Sequence, residues 1–369
     1  MRLSGGHRPQ RIKDMLRTIC HITATRDKYL ISHFRPETDA TMRLWTRQLL
    51  LLLALPSMLC YDQVNEGEKA PHSFEMFNDD VLFAYGPAYN DHKTLAEDDG
   101  VSDEIHFRLP VKFFGTNFRK AFVNNNGGIS FNEPIVSYTP EPFPIRKKYI
   151  MMPFWADVDP EICGDIFFGE RIDEFTLNKL EQEFAYHLPD QFFKPVWCFV
   201  VTWHKVAYYG SESDKTNTFQ AILTTDHHHT FVMYNYGNVE WTTGAASGGD
   251  PMTGLGGIQA QAGFNADDEY FSIPGSRSEH IVNIKDTTNC NRNGRWLFQV
   301  DNFKVPGGCV FEATYLTFGQ FIWKDEVCST KCSCRHSGKI ECFASPCSGS
   351  DICVPMGKHY MCQMDEKEC

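Results

Sequence analysis

The chain has 369 residues, 42% of them hydrophobic and 14% aromatic, with 14 cysteines. That is too much apolar surface for a disordered chain and enough for a large packed core. The formal net charge of −12 repels phosphate backbones and argues against nucleic acid as a partner. Residues 1–47 hold 10 Lys and Arg against 4 Asp and Glu and show no apolar periodicity. The run Leu49 to Leu59 follows, interrupted by Ala54, Pro56, Ser57 and Met58. A basic flank before a run of this length fits a secretory signal, whereas a membrane span needs about 20 such residues. A signal normally opens a chain. Translation is therefore expected to start at Met42, with residues 1–41 an upstream extension and 42–60 a signal peptide cleaved near Ser57 to Cys60. A longer signal-anchor is the rival reading. Without residues 1–60 the balance is 25 basic against 43 acidic, net −18. This surface suits cations or basic matrix proteins, though ordinary solubility explains it as well. No later stretch is long and apolar enough to cross a bilayer, so the expectation is a secreted product without stable membrane insertion.

Residues 61–80 are polar and read as a flexible lead-in; the apolar cluster Val81 to Gly86 starts the fold. In the next segment Ile105, Phe107, Leu109 and Val111 alternate with polar residues, the period of a half-buried strand. A second strand, Phe118 to Val123, runs into Asn124-Asn125-Asn126-Gly127-Gly128, residues that tolerate positive φ, and a two-residue hairpin turn is expected there. Ile129 and Phe131 begin the returning strand. Pro134, Pro140, Pro142, Pro144 and Pro153 then forbid a central strand or a helix and predict an extended crossing. Leu177, Leu180, Phe184 and Leu188 recur at helical spacing over Glu174 to Leu188, with Asp173 or Thr176 as cap and Pro189 as stop. The remainder reads as strands. Trp197 to Val206 is apolar on both faces and central in a sheet. Phe219 to Leu223 returns through Phe231 to Tyr236. Ile258, Ala260 and Ala262 alternate, and Trp296, Phe298 and Val300 close the domain. The fold class is mainly β: a β-sandwich-like domain over 81–301 with one helical insert. Beyond a short linker at 302–308, nine of the 14 cysteines crowd into 309–369. That segment has too few large apolar residues for a core of its own, so it reads as a small disulfide-rich module.

Several segments carry a family resemblance: VNNNGGISF, YTPEPFP and MMPFWADVD, then TNTFQAILTTD, YNYGNVEWTTGAASGGDPMTGLGGIQAQAGFN, FSIPGSRSEHIVNIKDTTN and GRWLFQVD. Together they resemble the NIDO family, the extracellular module of nidogens and tectorins, over roughly residues 83–369, with the NIDO core at about 153–301. The spacing Cys328-x3-Cys332-x-Cys334-x7-Cys342-x4-Cys347-x5-Cys353-x8-Cys362 resembles the von Willebrand factor C-like, trypsin-inhibitor-associated module that follows the NIDO domain in tectorins. Cys309, Cys328, Cys332, Cys334, Cys342, Cys347, Cys353 and Cys362 make an even set of disulfide candidates whose connectivity the spacing leaves open. Paired CxxC knuckles are absent, which disfavours zinc. Cys369 is left over; in the resembling family a cysteine there opens a von Willebrand factor D module. Cys163 and Cys198 are a possible local pair, leaving Cys290, like Cys369, unpaired or intermolecular.

No residue set assembles a catalytic centre. There is no G-x-S-x-G and no H-E-x-x-H, so no enzyme activity and no cofactor are assigned. His227-His228-His229 falls where a hairpin turn belongs, and adjacent strand residues face opposite ways, so a turn is favoured over a metal site. The glycine-rich stretch 247–257 lacks the lysine of a phosphate loop and reads as close backbone packing. Asp98 and Asp99, Asp157 and Asp159, and Asp267-Asp268-Glu269 are carboxylate clusters. None fits an EF-hand and all read as solvated turns, so no metal is assigned; Asp98, Asp99, Asp157 and Asp159 are the candidate ligands should calcium be taken up. The resemblance implies a non-enzymatic, secreted extracellular-matrix protein. It would act in matrix assembly or cell–matrix adhesion through contacts with matrix proteins, as a disulfide-linked oligomer if Cys369 pairs between chains. The alternative is a soluble secreted binding protein that modulates a matrix partner without polymerising. The repeated D modules and zona pellucida domain by which tectorins polymerise are not in this sequence, which is what raises that alternative.

Overall fold

The computed structural model describes residues 81–312, 314–348, 351–356 and 359–363. The expected upstream extension, signal peptide and lead-in, and Cys369, lie outside the described residues. In chain order the main domain contains β1 (His92–Lys93), β2 (Ile105–Phe113), β3 (Thr116–Asn124), β4 (Gly128–Ser130), β5 (Tyr149–Trp155) and β6 (Asp165–Arg171). Helix α1 (Glu174–His187) follows, then β7 (Trp197–Val206), β8 (Asn217–Thr225), β9 (Thr230–Tyr236), β10 (Gln261–Ala266), β11 (Glu269–Ser272) and β12 (Arg295–Gln299). They form two antiparallel six-stranded sheets, ordered β1-β6-β7-β8-β9-β12 and β11-β10-β5-β4-β3-β2.

Side-chain parity decides what each face of the first sheet covers. On β7, Trp197, Phe199, Val201 and Trp203 enter the core shared with the second sheet. Cys198 and Val200 point the other way, into a cluster with Leu180 and Phe184 of α1. β7 is thus buried on both faces, as its unbroken apolar run predicts. Between the sheets, Tyr234 stacks on Phe264 with ring centroids 5.1 Å apart, and Phe154 meets Phe219 at 5.5 Å. Aromatic pairs in such offset or tilted arrangements add specificity to the area they bury. Helix α1 starts where Asp173 accepts the backbone N–H of Thr176 at 2.8 Å, which satisfies one of the donors a helix start leaves open.

The second sheet departs from the sequence reading at Pro153. This proline sits inside β5, an interior strand, not in an extended crossing. The pairing of β5 with β10 shifts there, from Met152 opposite Gly263 to Trp155 opposite Gln261. The bulge places one extra residue on β5, and a proline without an N–H is tolerated at such a point. It also changes the phase of the strand. Ile150 and Met152 pack outward under Ile135 and Phe143 of the proline-rich crossing, whereas Phe154 turns into the core. The hairpin joining β3 and β4 differs too: Asn124 pairs with Gly128, leaving a three-residue turn. Gly127 has φ +86°, and a Cβ there would overlap the Phe154 carbonyl, so only glycine fits. An eight-residue 3-10 helix, Glu279–Asp286, buries Ile281 and Ile284; no signal in the sequence reading marked it.

The cysteine-rich module contains β13 (Gly308–Phe311), β14 (Thr314–Thr317), β15 (Phe321–Trp323), β16 (Thr330–Cys334), β17 (Ile340–Ala344), β18 (Ile352–Met356) and β19 (His359–Gln363). β13 and β14 form a two-stranded ribbon, and the others a sheet ordered β17-β16-β15-β19-β18. Four disulfides cross it: Cys309–Cys334, Cys328–Cys353, Cys332–Cys342 and Cys347–Cys362. Its small core is Leu316 and Ile322 with the half-cystines 309, 332 and 334, so sulfur bridges stand in for apolar bulk. Tyr315 docks the ribbon on the sandwich, its ring 5.5 Å from Trp296.

The expected Cys163–Cys198 pair does not form. Cys163 is disulfide-bonded, while Cys198 is a free buried thiol. The Cys163 carbonyl accepts the N–H of Ala207, just past the C-terminal end of β7, and Cys198 lies at the other end of that strand. At about 3.3 Å per residue the two are roughly 30 Å apart, far beyond the reach of a disulfide. Cys290 is also a free buried thiol.

Candidate functional site

Among the described residues, chemistry-bearing side chains converge on an unmet carboxylate where the β3–β4 turn meets the segment leaving β5. The asparagines of that turn act as clamps. Asn125 donates its side-chain amide to the carbonyls of Leu95, at 3.1 Å, and Glu97, at 2.8 Å. Its backbone N–H donates to the Gly100 carbonyl at 2.9 Å. Asn126 donates to Asp99 Oδ1 at 2.8 Å and accepts the N–H of Val158 at 2.9 Å. Two adjacent side chains thereby hold the 95–100 loop against residues 156–158.

Residues 157–159 run strand-like beside 207–209. Val158 bridges to Tyr208, the Asp157 carbonyl accepts Tyr209 N–H at 3.0 Å, and the Asp159 N–H donates to the Ala207 carbonyl at 3.0 Å. Val158 is in the core, so its neighbours Asp157 and Asp159 turn to the opposite side. There Asp98, Asp99 and Asp157 each place a carboxylate oxygen within 4.8 Å of the others. Asp157 is 2% and Asp159 6% exposed, which corrects the solvated-turn reading for both residues. Asp157 Oδ2 is buried and has no hydrogen-bond partner among the described residues. Gly244 packs directly on this carboxylate, and a Cβ there would overlap it. Burial, and then the charges of Asp98, Asp99 and Asp159, push the Asp157 carboxyl up to about 7. Glu161 joins the cluster unannounced by the sequence: its Oε1 faces the Asp98 N–H at 3.4 Å and its own N–H donates to Asp159 Oδ1 at 2.9 Å.

The other sequence candidates lie apart. His227, His228 and His229 occupy the β8–β9 turn, where Asp226 Oδ1 accepts the N–H groups of His228 at 2.9 Å and His229 at 2.6 Å. Asp267 lies in the β10–β11 turn and accepts the Lys147 N–H at 2.7 Å. Sulfur atoms of Cys328, Cys347 and Cys362 approach one another, but all three are consumed by disulfides. A groove of about 850 Å³ runs between β1, β2 and β6, lined by His92, Glu104, Arg108, Glu170 and Arg171 among others; its charges are mixed and include the Arg108–Glu170 pair at 3.9 Å.

A second ionic centre ties α1 to the first sheet. Glu183 pairs with Arg295, which is fully buried, and with Arg292 at 3.0 Å; His187 Nε2 lies 3.4 Å from Glu183 Oε2. Burial works against the Glu183 carboxylate, but the nearby His187 ring and the Arg295 and Arg292 charges outweigh it and hold the group down at about 2. Burial likewise works against His187 as a cation, yet its contacts with Cys290 and Glu183 hold it up at about 9.

The family profile of the nidogen-like domain, NIDO, matches residues 119–302. Over 285 residues the chain is 43% identical to alpha-tectorin of Homo sapiens, a match covering 75% of this chain and 13% of that protein. It is 43% identical over 294 residues to alpha-tectorin of Gallus gallus, covering 78% and 14%. Nidogen of Drosophila melanogaster is 30% identical over 213 residues, covering 56% and 15%. The chain therefore spans about one seventh of the length of these relatives. No solved structure matches it.

Proposed function

Because the chain carries a nidogen-like domain and so belongs to the NIDO family, we propose that it is a secreted, non-enzymatic protein of the extracellular matrix, acting in matrix assembly or cell–matrix adhesion through protein–protein contacts. The observation that carries this reading is the cysteine-rich module. Four disulfides hold a sheet whose own apolar core is two residues and three half-cystines. Such a module persists only in an oxidising compartment. Among the described residues no helix is long and apolar enough to cross a membrane, which fits release from the cell. The sandwich beside the module fills its interior with aromatic side chains and leaves function to its surface.

The test is expression of the full chain in secreting animal cells. The protein is expected in the medium, with the module's cysteines oxidised, and to co-fractionate with deposited matrix. Non-reducing electrophoresis then separates two forms of the reading. Disulfide-linked multimers support assembly, whereas a monomer that still binds matrix supports a soluble modulator. Retention in the cytosol with free module thiols overturns both.

A further inference from the structure

We propose that Asp98, Asp99 and Asp157 hold a calcium ion that pins the 95–100 loop to the sandwich. Three independent features of the cluster lead there. The first is its span. Calcium takes oxygen ligands at about 2.3–2.6 Å, so oxygens sharing one ion lie no more than about 5 Å apart. The three carboxylates present oxygens within 4.8 Å of one another. The second is the unmet group. Asp157 Oδ2 is buried without a hydrogen-bond partner among the described residues, and a buried carboxylate oxygen in that state is costly unless something positive meets it. The charges that act on Asp157 are those of Asp98, Asp99 and Asp159, all negative. The third is construction. The two halves of the cluster come from distant parts of the chain, and Asn125 and Asn126 hold them together. Gly244 keeps clear the space beside the Asp157 carboxylate.

The donor set selects the ion. All donors are carboxylate oxygens, with no imidazole or thiolate in the cluster, which suits a hard cation and not zinc or copper. One ligand sits on a rigid strand-like segment and two on a loop, a mixed support that tolerates the variable coordination of calcium better than the strict octahedron of magnesium. Asp159 and Glu161 stand beside the cluster and add negative charge to the field that attracts the ion. The proposal does not depend on the matrix reading.

The test uses the full secreted chain, stripped with chelator and titrated with calcium chloride by calorimetry, with the thermal midpoint followed in parallel. One calcium is expected per chain, with a dissociation constant in the range of extracellular modules, about 10⁻⁴ to 10⁻³ M. The midpoint should rise by about 2–4 °C when the ion is saturating. Asp157→Asn and Asp99→Asn should each weaken binding at least about tenfold and remove the calcium-dependent shift. Asp99, being half-exposed, supplies a variant that keeps the fold if Asp157→Asn does not. Absence of calcium-dependent heat and shift in the stripped protein overturns the site. So does wild-type affinity in a folded Asp99→Asn variant. Equal affinity for magnesium overturns the assignment to calcium. Loss of the site would leave the secretion and assembly results untouched, so the two readings fail separately.

Discussion

Arg295 shows how much one buried charge organises. Its guanidinium donates to Asn235 Oδ1 at 2.8 Å, to the Val81 carbonyl and to Glu183, so it joins β12, β9, the first residues of the fold and α1. A buried guanidinium held by three such acceptors is stable in place, but removing its counter-charge leaves it uncompensated. Glu183→Gln is therefore expected to destabilise the sandwich by about 3 kcal/mol in urea unfolding at neutral pH. The same pair sets a pH window. The folded Glu183 carboxyl, at about 2, lies below its ordinary 4.5, so its contribution is complete above about pH 4.5 and is lost as pH falls toward 2. His187, held at about 9 against an ordinary 6.5, contributes fully below pH 6.5, and that contribution is lost as pH rises through 9. Unfolding free energies measured from pH 2 to 10 should fall on both sides of a plateau, and Glu183→Gln should flatten both slopes. An unchanged profile in the variant would remove this account. None of this network could be read from sequence, because Glu183 looks there like one of several solvent-facing charges on α1.

At the scale of elements, legibility followed period. β2 alternates so regularly that its buried and exposed positions could be assigned in advance, and Leu180 and Phe184 marked the buried stripe of α1. What failed were features in which one residue overrides a pattern. Pro153 reads as a strand breaker, yet the bulge it occupies lets β5 pass through the middle of a sheet. The acidic residues were legible as candidate ligands but their convergence was not: Asp98 and Asp157 have no local relation, and the asparagines that join them resemble an ordinary turn sequence. The Cys163–Cys198 expectation used proximity in sequence, whereas strand direction sets the two at opposite ends of β7. In the module, the cross-strand Cys332–Cys342 bridge closes a loop of ten residues between β16 and β17. Replacing both cysteines with serine should cost the module about 2–3 kcal/mol. The module should then become sensitive to protease and the sandwich should keep its cooperative transition. A single transition that drops as a whole would mean the two units fold as one.

At the scale of the whole molecule, two of the described cysteines are thiols lying in the layer between the first sheet and α1: Cys198 and Cys290. Burial raises the Cys198 pKa far above that of an exposed cysteine, and thiolate is the form that reacts. Neither group should react with an alkylating reagent while the layer is closed, although the same protein carries several sulfur bridges. The pair thus forms a built-in clock for opening. Cys290 sits in the loop before β12 and needs only that loop to lift, while Cys198, on an interior strand, waits for α1 to peel away. Modification followed by mass spectrometry at increasing urea should mark Cys290 first and Cys198 later. Simultaneous marking would show that helix and loop leave the sheet in a single step.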